Sequence, residues 1–242
     1  MRAAVLALAC LALTGCETTQ EKSAKLERAA LANQHGPGRG AQRLTITRAS
    51  SVIKVVSSAI VHSSEGTAAA VVLRNDSATA QSSVPLAITA HDATGAAVYT
   101  NTAGGQAASL VSAALVPAHG ELTWVDDQVQ ASSTPTSVTA EAGEGKPARG
   151  AAPKVLVASY HLGEEPGGLP VLQGTVANRS SLAQSELAIY AVASAAGRVQ
   201  AAGRAVLSSI AAGASASFQI FLIGTVPHGA HITIDAPPTV LG

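Results

Sequence analysis

The sequence predicts an all-β protein: two tandem β-sandwich domains behind a leader and a flexible tether. Three observations carry that expectation. Apolar runs rich in Val, Ile and Ala alternate with turn signals about every ten residues, the spacing of sandwich strands. The 47% of hydrophobic residues are dominated by Ala and Val, with one Trp, three Tyr and two Phe; small and β-branched residues suit pleated sheets better than helix packing. The second half then repeats the order of strands and turns found in the first. At 242 residues the chain has room for two domains of ordinary size.

The chain opens with Met1-Arg2 and an apolar run over residues 3–13. A bilayer-spanning helix needs about 20 apolar residues, so this run reads as the core of a signal peptide, residues 1–15. It ends in Leu13-Thr14-Gly15-Cys16, which resembles the bacterial lipobox. The resemblance implies that the Cys16 thiol takes a diacylglycerol and becomes the first residue of the mature chain. The implied protein is extracytoplasmic, tethered by lipid to a membrane. Glu17 in place of an Asp implies the periplasmic face of the outer membrane or the cell surface. Cys10 falls in the leader, so Cys16 is the sole cysteine left, and neither a disulfide nor a cysteine metal site forms within one mature chain.

Residues 16–43 are polar and mixed in charge. Glu21 and Lys25 stand at i,i+4, which supports a short frayed helix over about 20–33. Gly36-Pro37-Gly38-Arg39-Gly40 then breaks order, and the segment is expected to act as a spacer. The first domain is expected at 44–141, with strands at 44–47, 52–61, 67–74 and 84–90. Residues 142–153, rich in Gly, Pro and Ala, read as a linker. The second domain, 154–242, carries strands at 154–160, 169–177, 186–193, 204–210, 217–223 and 231–235.

The halves align. Asn75-Asp76-Ser77-Ala78-Thr79-Ala80-Gln81-Ser82 matches Asn178-Arg179-Ser180-Ser181-Leu182-Ala183-Gln184-Ser185 at a constant offset. Each copy continues into an alternating strand, a turn at Gly95 or Gly197, and a strand bearing a large aromatic, Trp124 or Phe218. We read an internal duplication of module size. Asn75 and Asn178 are expected to shape a strand-to-strand corner, because an Asn side chain caps its own turn and tolerates positive φ. Trp124 and Phe218, like the other aromatics, are expected in the core. The pattern resembles FxLYD-type immunoglobulin-like modules of bacterial envelope proteins, over roughly residues 67–130 and 170–235. That resemblance implies tandem immunoglobulin-like sandwiches and supplies no catalytic residues.

Charge excludes one class of partner. Lys+Arg and Asp+Glu both number 15, charged residues are only 12%, and aromatic stacking surfaces are scarce, so no nucleic-acid footprint exists. Of seven His, only His228 and His231 lie close in sequence, and Pro227 and Gly229 place them in a turn rather than on one helix face. The acidic pairs Asp126-Asp127 and Glu164-Glu165 fit no calcium-loop pattern and read as solvated loop charge. Ser51-Val52-Ile53-Lys54 opens a β-branched stretch instead of the helix that a Ser-x-x-Lys site requires. The expected function is therefore non-enzymatic, without cofactor or metal: a membrane-anchored module that binds an envelope protein or serves as structure. The competing expectation is a small-ligand carrier or envelope sensor with a groove between the domains.

Overall fold

A computed structural model describes residues 17–32, 44–104, 106–165 and 168–242. The leader, Leu13, Thr14, Gly15, Cys16 and the Gly36–Gly40 breaker lie outside the described residues. Within them the chain is all-β apart from one α-helix and one 3-10 turn. The helix is α1 (Thr19–Ala32). The strands of the first half are β1 (Ile53–Ser63), β2 (Gly66–Asn75), β3 (Gln81–His91), β4 (Ala97–Thr100), β5 (Ser112–Val116), β6 (Glu121–Asp126), β7 (Ser137–Ala142) and β8 (Lys146–Pro147). Those of the second are β9 (Val155–Glu165), β10 (Leu169–Asn178), β11 (Gln184–Ala195), β12 (Arg198–Ile210), β13 (Ser215–Phe221), β14 (Ile223–Gly224) and β15 (His231–Asp235).

Each half contributes two antiparallel sheets. The first has β1-β2-β6, facing a sheet in which β3 pairs with β4, β5, β7 and β8; the second has β9-β10-β13, facing β14-β12-β11-β15. Residues 44–47, expected as a strand from their alternation, form none; Ala49 makes only an isolated bridge to Gly143. The expected linker is partly absorbed into the first half, because Lys146 and Pro147 pair with Ser82 and Gln81.

The four sheets stack. Thr67–Val71 of β2, Leu122–Asp126 of β6 and Leu187–Ala193 of β11 are buried without a break. A strand buried at every position has both faces covered, so β1-β2-β6 and β12-β11 are the inner layers. One apolar cluster runs from Val84, Leu86 and Ile88 of β3, through Val71, Leu73 and Trp124, to Ala188, Tyr190 and Val192 of β11. The opposite side of β11 (Leu187, Ile189, Ala191) packs on Leu172, Phe218 and Ile220 in a second cluster. The abundance of Ala is explained here: inner sheets that meet face to face approach closely only where side chains are small.

The duplication extends to backbone geometry. Asn75 and Asn178 are both fully buried. The Asn178 Nδ2 donates to the carbonyls of Leu182 (2.7 Å) and Ala211 (3.0 Å), and its Oδ1 accepts from the Ser180 amide and hydroxyl. The Asn75 Nδ2 donates to Thr79 and Val116 carbonyls, and its Oδ1 accepts from Ser77. Neither Asn takes positive φ; that conformation falls on Ser83 (φ 49°) and Glu186 (φ 50°), at equal places just after the matched Gln-Ser pairs. Trp124 pairs with Val71 and Phe218 with Gly174 at matching register. A Cβ on Gly174 would lie 2.6 Å from the Phe218 ring, so the glycine makes room for that aromatic. Asn178→Ala removes a set of buried bonds and is expected to cost about 1–3 kcal/mol, read as a lower urea midpoint, with Asn75→Ala close to it.

The halves differ in one stretch. Where β12 runs unbroken, the first half breaks between β4 and β5 into an excursion that includes the 3-10 turn Ala108–Leu110. Asn101 bridges the break: its Oδ1 accepts from the Ile88 amide and its Nδ2 donates to Leu86 and Leu110 carbonyls. The excursion delivers Ser109 to the junction of the halves.

Candidate functional site

The site grows from α1. Thr18 and Glu21 form a reciprocal capping box: the Thr18 amide donates to Glu21 Oε2 (2.9 Å) and the Glu21 amide to Thr18 Oγ1 (3.3 Å), the Ser/Thr-x-x-Glu signature of a helix start. Glu21 is thus committed to the cap, and Lys25 pairs with Glu17 instead (3.5 Å). The short helix expected over about 20–33 is present as Thr19–Ala32; what is corrected is that it is part of a loose spacer. The helix is docked on the β-body, and the side it buries is polar: Thr19, Ser23 and Glu27, at i, i+4 and i+8 on one face. Thr19 donates through its amide to Glu65 Oε2 (3.0 Å), and the Gln20 amide donates to the Glu65 carbonyl. Apolar periodicity misses such a helix; the Thr-x-x-Glu cap is the signal that marks it.

Beneath α1 lies a buried ionic cluster. Arg204 of β12 grips Glu27 with both terminal nitrogens (3.0 and 2.7 Å) and reaches Asp127 with Nε (3.3 Å). Its Nη1 also donates to the Ser109 hydroxyl (2.6 Å). Ser23 donates to Asp127, and Gln128 Nε2 to Glu27. The Arg204 side chain is 1% exposed and that of Asp127 0%. Bidentate guanidinium–carboxylate geometry of this kind is what makes a buried charge tolerable. The reading of Asp126-Asp127 as solvated loop charge is overturned: both are fully buried. Their partners are remote in sequence, so adjacency in the chain conceals them.

The cluster holds three carboxylates against one guanidinium. Burial pushes Asp127 up, opposed by the Arg204 charge. Asp126 accepts from the Tyr99 hydroxyl (2.7 Å) and the Gln128 amide (2.9 Å), yet burial still pushes it up to about 6. Tyr99 itself is raised by burial and by Asp126. Between an unfolded value of about 3.9 and a folded value of about 6, the folded state holds a proton that the unfolded chain has released. Unfolding free energy from this group is therefore largest below about pH 4 and falls as pH rises through 6. Asp126→Asn is expected to flatten that part of the profile, read from urea midpoints across pH 4 to 7.

The aromatic expectations meet at this junction. The Trp124 Nε1 donates to the Ser109 carbonyl (2.8 Å), and the Tyr190 hydroxyl donates to the same oxygen (3.3 Å). The two rings stand 6.5 Å apart at 42°. Asp235 of β15 accepts from the Thr123 amide across the halves (2.8 Å). These bonds tie the halves together, and a groove lies between α1 and the second half. Tyr160 departs from the core expectation at 50% exposure. Glu165 pairs with Lys22 (3.7 Å). Asn75, Asn178 and Phe218 are placed in the fold above and take no part in the ionic cluster. Among the described residues no three His, Cys, Asp or Glu side chains converge on a metal position, and no helix is long and apolar enough to cross a membrane. Comparison with known proteins finds no family model and no curated protein that matches this chain.

Proposed function

We propose that the protein is a lipid-anchored, non-enzymatic module of a bacterial cell envelope. Cys16 carries the anchor, two immunoglobulin-like modules form the body, and an envelope protein binds by adding a strand to β9. The observation that carries the binding role is the state of β9. Among the described residues it pairs only with β10, and residues 158–162 are exposed at every position. A bulge at Ala158 interrupts its register, but Ser159–Glu165 continues regularly. Tyr160 and Leu162 pair with Gly174 and Leu172, which puts them on the core side of their sheet, 50% and 45% exposed. The corresponding strand of the first half, β1, is also an edge among the described residues, but β7 leans over it, the Ser58 hydroxyl donating to the Val138 carbonyl (2.8 Å). An unpaired edge with apolar side chains is the surface that strand addition uses.

The anchor reading draws on the lipobox pattern and on the position of α1. The helix begins three residues after Cys16, so a lipid there holds the body close to the bilayer, and the spacer is short. Cys16→Ser is expected to move the protein from the membrane to the soluble fraction; unchanged fractionation refutes the anchor. For the partner, a photo-crosslinking residue at position 160 is expected to trap one envelope protein in cells, and Leu162→Lys to abolish the adduct. No adduct, or one indifferent to Leu162→Lys, refutes strand addition.

A further inference from the structure

A groove of about 590 Å³ runs between α1 and the second half, within the size range of small-ligand sites. Its floor is the face of β9-β10-β13 turned away from the core. Strand register sets two cross-strand rows on that floor: Ser159, Thr175 and Ser217, then His161, Gln173 and Gln219. Among the described residues, nothing hydrogen-bonds the three hydroxyls of the first row. In the second, His161 Nε2 meets Gln173 Oε1 (3.1 Å) and Gln219 Nε2 donates to Glu165 (3.0 Å). Among the described residues the Gln173 Nε2 and the Gln219 Oε1 make no hydrogen bond, and both side chains line the groove. Leu26 of α1 and Val206 and Leu207 of β12 supply an apolar wall.

The charge at the inner end narrows the ligand class. Glu27 and Arg204 line it, but each is already held by the other, and Arg204 also by Asp127. An anionic ligand finds no free cation there, and both Glu27 oxygens already accept from Arg204. The groove offers neutral donors and acceptors on one side and aliphatic surface on the other. Neighbouring strands are about 4.8 Å apart, so one sugar ring spans two members of a row. A ring with a hydroxylated edge and a C–H face matches both sides.

The first half supplies a control. The same two rows in β1-β2-β6 read Ser57, Val72, Thr123 and Ala59, Ala70, Val125, and β11 and β12 cover that face. The fold tolerates Ala-Ala-Val where the face is covered, and the duplicate carries His-Gln-Gln where it opens into the groove.

We propose that this groove binds a neutral saccharide. The test is a titration of the folded protein with N-acetylglucosamine trisaccharide, cellotriose and maltotriose, followed by NMR of glutamine side-chain amides. At least one sugar is expected to shift the Gln173 and Gln219 amides saturably. Gln173→Ala combined with Thr175→Val is expected to weaken binding about tenfold or more, at an unchanged melting temperature. Leu162→Lys lies on the other face of the sheet; it should abolish the β9 adduct and leave sugar binding intact, so the two proposals fail separately. No saturable shift with any of the three sugars at millimolar concentration overturns the proposal. So does preferential binding of inorganic phosphate or of trialanine at the same amides.

Discussion

Arg204→Met is expected to cost about 3–5 kcal/mol of folding stability, because it strands two buried carboxylates without a countercharge. Glu27 and Asp127 both bond to this guanidinium, and Asp126 adds further negative charge nearby. The cluster is asymmetric, and the asymmetry gives a sharper expectation than the magnitude. Glu27→Gln leaves one guanidinium facing Asp127, and the amide still accepts from Arg204. Its cost is expected to be about 1–2 kcal/mol, the scale of weakened charge-assisted bonds. Urea unfolding of both variants at neutral pH measures the difference. Equal losses would mean that Arg204 does not neutralise Asp127.

Trp124→Ala is the second large effect, expected at about 3–5 kcal/mol. The ring is fully buried and belongs to the cluster shared by both halves. The cost has two parts: a cavity, and a Ser109 carbonyl left with only the longer bond from Tyr190. Trp124→Phe keeps most of the volume and loses the indole donor, so it is expected to lose about 1–3 kcal/mol. Because Ser109 also receives Arg204, Trp124→Ala combined with Arg204→Met is expected to be non-additive. Substitutions sharing a partner couple by about 0.5–3 kcal/mol. The combined loss, compared with the sum of the single losses, checks the junction.

Much of the β-character was legible from local pattern. The alternation of residues 84–90 marks β3, and the Asn-x-Ser corners recur because each copy must satisfy the same turn carbonyls with one side chain. The stacking of four layers was not legible. The run Thr67-Ala68-Ala69-Ala70-Val71 reads as a strand, but its lack of alternation records two covered faces, and only the second half shows what covers the outer one. The excursion after Thr100 was hidden because Asn101 replaces backbone bonds with side-chain bonds, which no periodicity reports. The alternation at residues 44–47 misled, since four residues without a neighbouring strand form no ladder.

The candidate site was the least legible part. Asp126-Asp127 resembles surface charge, and its significance depends on Arg204, far along the chain, and on Glu27, in a segment that reads as tether. α1 escaped notice as a docked element because its buried stripe is Thr19, Ser23 and Glu27, where an apolar stripe is the usual sign. Its cap lies in plain view at Thr18 and Glu21. A helix of 14 residues is marginal alone in water, so its order derives from the cluster beneath it.

A lipid at Cys16 and the β9 edge act as one unit when α1 and both halves form one cooperative body. Differential scanning calorimetry of the protein tests it most directly. One transition is expected, with calorimetric and van't Hoff enthalpies equal, and Arg204→Met and Trp124→Ala should each lower that whole transition. Two resolved transitions, with Trp124→Ala moving only one of them, would contradict the account.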